Sequence, residues 1–269
     1  MTLRSWTALT TLCLAASWVA PAEARLPAET AVEQRTGDSR SERTVMRWRN
    51  QAKQIDTQIA GGQHKKAYRA ARSLCQDMMH LIDSGENTGR LLGLATTLRA
   101  ITAANLGYES EAIWYWQTAQ QLFSGVDQIN LEDFGAAGEL LRENPSTARE
   151  SIEHLLSDKV KGVFREDGVT PARKRKGPAP DFPNAKSGFG QVMVIVRFHI
   201  DENGDLSQPI ILRSKGELTL VYSALETLRD WKFYPAEKNG EPIASFYNLT
   251  FNFISERQGS QPLRRAPGR

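Results

Sequence analysis

The sequence predicts an α+β chain, with an N-terminal all-α domain of helical hairpins followed by a small ββαβ domain. Three observations carry this. Apolar residues recur at steps of three and four between Val45 and Leu122, the spacing of one buried helix face. A block rich in Gly, Pro and basic residues then interrupts any periodicity over 162–186, as a linker between domains does. Strict two-residue alternation begins at Gln191, the period of a strand. The expected organisation is a signal peptide over 1–24, a disordered leader over 25–43 and the helical domain over 44–161. A basic linker over 162–186, the second domain over 187–255 and a disordered basic tail over 256–269 complete it.

The N-terminus has the three parts of an export signal. Arg4 supplies the basic start, Ser5 to Ala22 is uncharged with an apolar centre, and Ala22-Glu23-Ala24 is a small-residue cleavage site. An uncleaved anchor is the alternative, because the uncharged stretch just reaches spanning length. Ser5, Thr7, Thr10, Thr11 and Ser17 dilute it, and Pro21 breaks a helix before the cleavage site. Lipid attachment at Cys13 fits poorly, since Leu12 precedes it where a small residue is usual. Cleavage leaves about 245 residues outside the cytoplasm, with no other stretch able to span a membrane. It removes Arg4 and Glu23 together, so the formal charge of +3 stays nearly balanced and does not call for nucleic acid. Cys75 is then the lone cysteine, which forbids an intramolecular disulfide and leaves stability to packed cores.

In the first domain, Val45, Trp48, Ala52, Ile55 and Ile59 precede Gly61-Gly62, and Ala67, Ala70, Ala71, Leu74, Met78 and Leu81 run to Gly85. A second hairpin follows with Leu91, Leu94, Leu98, Ile101 and Leu106, then Ala112, Ile113, Trp116, Ala119 and Leu122. Two further helices are expected near Leu131 to Glu143 and Ser146 to Lys161, with Ser146 as a cap after Asn144-Pro145. The run Leu106-Gly107-Tyr108, Ala112, Trp116 and Ala119 resembles a tetratricopeptide repeat. Ala67 and Ala112 are 45 positions apart, longer than that repeat's roughly 34 residues, so an ordinary helical bundle remains the alternative.

In the second domain, Val192, Val194, Val196, Phe198 and Ile200 alternate with Met193, Ile195, Arg197 and His199. The first set predicts a face packed on a helix; the second turns polar at its outer end. Asp201-Glu202-Asn203-Gly204-Asp205 predicts a hairpin turn, with Leu206 to Arg213 as the returning strand. Leu218, Val221, Leu225 and Leu228 predict an amphipathic helix to Asp230, and Ser245 to Ile254 a last strand after the turn Lys238-Asn239-Gly240-Glu241-Pro242.

Over about 177–255 the order of elements and the turn residues resemble the C-terminal domain of TonB, the periplasmic end of a bacterial energy transducer. The carriers are Pro178-Ala179-Pro180-Asp181-Phe182-Pro183, Ala224-Leu225, Leu228, Trp231-Lys232-Phe233-Tyr234-Pro235-Ala236, Asn239-Gly240 and Pro242. By their own chemistry, Trp231 and Phe233 are expected to close the core, and Pro235 to begin an extended crossing. The resemblance implies binding rather than catalysis, with a segment of an envelope protein or peptide adding to a sheet edge as an extra strand. On this chain the edge would be the last strand: Phe246, Tyr247, Asn248, Leu249, Thr250 and Phe251. Tyr247, Leu249, Phe251 and Phe253 share one face, and Phe246, Asn248, Thr250 and Asn252 the other. A covered edge, against the tail or a second copy in a homodimer, is the alternative.

Enzymatic signatures are absent from the sequence. His64, His80, His154 and His199 stand in no metal-ligand spacing, and Glu153-His154 lacks a second histidine one turn on. Cys75 and His80 are five apart with no third group beside them. Gly188-Phe189-Gly190 lacks a third glycine and precedes a strand instead of following one. The expectation is therefore a non-enzymatic periplasmic adaptor in envelope transport, with no catalytic residue, metal or cofactor. A membrane-anchored TonB-type energy transducer is the second reading. Against it stand the expected loss of the apolar segment and the lack of a long Pro-rich spacer.

Overall fold

The computed structural model describes residues 28–79, 86–146, 168–180, 191–215 and 218–254. The export signal, Cys13, His80, the helix expected from Ser146 to Lys161 with its His154, and the basic tail lie outside the described residues. The chain divides into two compact units, one dominated by helices and one by strands, and the α+β class is as expected.

The helical unit begins with α1 (Ala28–Ala60) and α2 (His64–Met79), then α3 (Glu86–Ala104) and α4 (Glu109–Leu122). Two 3₁₀ segments, Ser124–Gln128 and Leu131–Phe134, lead into α5 (Gly135–Glu143). Helix α1 starts at Ala28 and not near residue 44, so the stretch read as a polar leader is helical from there on. It has no apolar stripe, but it is rich in Ala, Glu, Gln and Arg, whose propensity favours helix where periodicity is silent. Of the expected inner faces, Trp48, Ile55, Ala67, Ala71, Leu74, Met78, Ala112, Trp116 and Ala119 are buried, whereas Val45, Ala52, Ala70, Leu94, Leu106 and Ile113 are half-buried.

Helix α3 is buried all round, not on one side. Thr96, Thr97 and Thr102 are buried with Leu92, Ala95, Leu98 and Ile101. Each hydroxyl donates to a carbonyl one turn back: Thr96 to Leu92 at 2.7 Å, Thr97 to Gly93 at 3.0 Å and Thr102 to Leu98 at 2.9 Å. Satisfied within their own helix, these polar groups enter the core without an orphaned hydroxyl.

One buried charged cluster ties three helices together. The Tyr68 hydroxyl of α2 donates to Glu111 Oε1 of α4 at 2.7 Å, and Arg99 of α3 approaches the same oxygen at 3.5 Å. The Arg99 guanidinium lies over the Tyr115 ring, 3.8 Å from its centroid. Burial, reinforced by the bond to the Glu111 carboxylate, raises the Tyr68 pKa.

The strand-rich unit opens with β1 (Val169–Thr170) and β2 (Arg173–Lys176). Then come β3 (Gln191–Ile200), β4 (Leu206–Lys215), α6 (Leu218–Arg229), β5 (Lys232–Tyr234), β6 (Ala236–Lys238), β7 (Glu241–Ile243) and β8 (Ser245–Ile254). They form three small sheets with orders β4-β3-β8, β1-β6-β7 and β2-β5. Part of the segment read as a linker is thus paired structure. The exposed cations of Arg173 to Lys176 show no alternation, so their pairing was invisible to pattern. Helix α6 packs on β3 through its buried Val221, Ala224, Leu225 and Leu228. Leu218, expected on that face, is 38 % exposed because it sits in the first turn.

Candidate functional site

The candidate edge is built by a pairing ten residues long. Strand β8 runs antiparallel to β3 along its full length, from Gln191 opposite Ile254 to Ile200 opposite Ser245. It lies at one end of the sheet order, so one row of its backbone groups has no strand partner among the described residues. Strand β4 is the other edge, and it is irregular. Gln208 adopts φ 50°, and Pro209 beside it has no N–H to give. Among the described residues β8 is the regular, proline-free edge of this sheet.

The six candidate residues divide between two faces. Tyr247 and Leu249 are half-buried and Phe251 is buried, whereas Phe246, Asn248 and Thr250 are exposed. The inner set belongs to an aromatic cluster. Tyr247 lies 5.6 Å from Phe198 and 5.4 Å from Phe233, centroid to centroid, and Phe251 lies 5.5 Å from Trp231. Trp231 and Phe233 are 7 % and 3 % exposed, so they close the core as expected. Both rings serve the packing of the core.

The outer set forms a shallow polar strip with one aromatic end. Phe246, 47 % exposed, meets the edge of His199 at 5.3 Å. Arg197 Nε donates to Asn248 Oδ1 at 2.9 Å, and its guanidinium lies 6.0 Å from the Phe246 ring centre. A neighbouring strand could hydrogen-bond the open backbone, with side chains reading Phe246, Asn248 and Thr250.

Sequence reasoning missed the ribbon that braces this domain. Strand β2 pairs with β5, placing Arg173 opposite Tyr234 and Lys174 opposite Phe233. Arg173 and Arg175 flank the Tyr234 ring at 4.7 and 5.6 Å, and Lys174 Nζ stands 3.2 Å from the Trp231 ring centre. Desolvation beside that ring lowers the Lys174 pKa. The Trp231 indole also donates to the Pro178 carbonyl at 2.8 Å. Gly177 makes this approach possible: at φ 151° a side-chain carbon there would meet Trp231 Cδ1 at 2.1 Å. The readable signal was the pairing of a four-cation run with an aromatic-basic-aromatic run, whose rings offer faces to cations.

The two turns do what their residues predict. Asp201 Oδ1 accepts from the backbone N–H of Asn203 and Asp205 at 2.9 and 2.8 Å, and Gly204 takes φ 82°. Asn239 and Gly240, at φ 55° and 88°, join β6 to β7 in a two-residue hairpin loop, the geometry that favours Asn-Gly. Among the described residues no group of three His, Cys, Asp or Glu could hold a metal ion. No described helix is long and apolar enough to cross a membrane.

Residues 180–254 match the family model for the Gram-negative bacterial TonB protein C-terminal. That span begins after β1 and β2 and runs through the final residue of β8, so the likeness read from the turn residues is shown over β3 to β8. No curated protein matches the chain. The match covers none of the helices α1 to α5 and associates its own segment with envelope transport, through a domain of protein interaction.

Proposed function

We propose that this chain, which carries a TonB C-terminal domain over residues 180–254, is a periplasmic adaptor. It would be exported by a cleaved signal over 1–24 and would bind an extended segment of another envelope protein along β8. The observation that supports the site is the asymmetry of the β4-β3-β8 sheet. Its β4 edge is bent at Gln208 and lacks a donor at Pro209, whereas β8 is regular over ten residues. Backbone pairing needs an unbroken row of N–H and C=O groups.

Capture of envelope proteins on the purified mature chain tests the site. Successive N–H groups of a strand point to opposite edges, so of prolines placed singly at Leu249 and Thr250, one removes an outward donor and one breaks the pairing with β3. The variant that stays folded should capture at least tenfold less of the principal partner. Unchanged capture by that variant would sink strand addition at β8.

The second reading is a membrane-anchored TonB-type energy-transducing component, favoured by the family match alone. It requires residues 1–24 to remain attached. N-terminal sequencing of protein from fractionated cells decides: a start near Arg25 in the periplasm supports the adaptor, and an intact Met1 in the inner membrane overturns it.

A further inference from the structure

The helical unit contains a cavity of about 230 Å³ between α1, α2, α3 and the 3₁₀ segments. Its α2 and α3 walls are largely apolar and include Met78, Leu94, Leu98 and Ile101, while α1 adds Arg49, Asn50 and Lys53 beside Asp56 at the polar side. Two lining residues of α1, Trp48 and Asp56, carry buried polar atoms without a hydrogen-bond partner among the described residues: indole Nε1 and carboxylate Oδ1. Eight positions apart on α1, they lie on one side of the helix.

Unpartnered buried polar groups are costly, and native folds rarely leave them without a use. Burial pushes the Asp56 pKa up to about 6, so at neutral pH the group is mostly charged and yet poorly solvated. A carboxylate in that state gains more than usual from a hydrogen-bond donor. Water can serve the polar side at Asp56, but it gains nothing against the apolar wall of Leu94, Leu98 and Ile101. Apolar cavities of about 150 Å³ stay dry and take up benzene instead. A partner helix is also a poor fit, because its successive anchors need an extended groove, whereas this volume suits one small molecule. An apolar pocket with a few convergent polar groups and a perturbed carboxyl has the make-up of a ligand site.

We propose that this cavity binds a small apolar molecule bearing one hydrogen-bond donor, an alcohol or an amine, with its body against Leu94, Leu98 and Ile101 and its donor on Asp56. Nothing in this site depends on β8 or on the export reading.

Fluorescence titration of the mature chain with N-phenyl-1-naphthylamine, an apolar neutral amine, tests the proposal against the hydrocarbon 1-phenylnaphthalene. The amine should bind roughly five- to tenfold tighter than the hydrocarbon at about pH 8, the worth of one hydrogen bond. That preference should shrink at about pH 5, where Asp56 is protonated, and vanish in Asp56→Ala at either pH. Leu94→Trp and Leu98→Trp fill the cavity from its half-buried and buried walls, and each should weaken both probes at least tenfold with the circular dichroism unchanged. Displacement of the amine by 1-octanol or by octylamine supports the site and says whether the donor is a hydroxyl or an ammonium; equal displacement by octane overturns it. Equal binding of amine and hydrocarbon at about pH 8 overturns it too, as does undiminished binding in a folded tryptophan variant. A chain that binds the probe only on dissociating from a dimer has this face covered by a second copy, and the proposal fails.

Discussion

Asp56 and Glu111 are both acids in the helical unit, and their surroundings give them opposite energetic signs. Glu111 accepts from the Tyr68 hydroxyl and faces Arg99 at 3.5 Å, with both members of the pair buried. Removing one member of a buried pair leaves the other uncompensated. Glu111→Ala should therefore cost about 3 kcal/mol in urea denaturation, and Glu111→Gln less, since its amide oxygen can still accept. Asp56 has no such partner, and its raised pKa means the folded chain holds a proton more tightly than the unfolded one. The sign follows from linkage: between about pH 4 and pH 6 the folded state binds more protons, so this group's contribution to stability falls as pH rises and levels off above that window. Asp56→Asn should remove that slope, and a series of melting curves across the same window would show a flatter profile than the parent. Neither role was legible from sequence, because Glu111 and Asp56 each read as one polar residue on a helical face. What distinguishes them is contributed by residues dozens of positions away.

The elements were legible in proportion to how strictly burial alternated. Strands β3 and β8 begin and end where the alternation of Val192 to Ile200 and Phe246 to Phe253 places them. A long strand with one buried face cannot slip register without exposing its whole apolar set. Short strands carry no such signature. β2 is held by rings beside its cations, β5 by core aromatics at every second residue, and β1, β6 and β7 by turn geometry. The docking of β2 is thus the element most exposed to single changes. Tyr234→Ala removes the ring beside Arg173 and Arg175 and should cost about 1 kcal/mol locally, seen as faster amide exchange through residues 173–176 with β3 and β8 unaffected. Gly177→Ala should cost more, roughly 1–3 kcal/mol, since both its backbone angle and its contact with Trp231 exclude a side-chain carbon.

At the scale of the molecule, each unit has its own core, which a chemical probe can follow separately. Cys75 is buried in the helical unit, and Trp231 in the strand-rich one. Thiol labelling of the mature chain in mild urea should accelerate at least tenfold in Glu111→Ala and stay unchanged in Trp231→Phe. Equal acceleration in both would show that the units open together. The division itself was legible from the change of period between Leu122 and Gln191. Its boundary was not, because the basic segment between them contributes strands instead of acting only as a tether.

The unequal edges of the main sheet also limit stoichiometry. A sheet open on both sides can grow without end, whereas one blocked at β4 by Gln208 and Pro209 would, on the proposed reading, accept a single addition, at β8. Two copies meeting β8 to β8 use up each other's open edge and close as a two-fold pair. Assembly by this route would be self-terminating: it would stop at a guest strand or a twin, so a long sticky edge would not seed fibres.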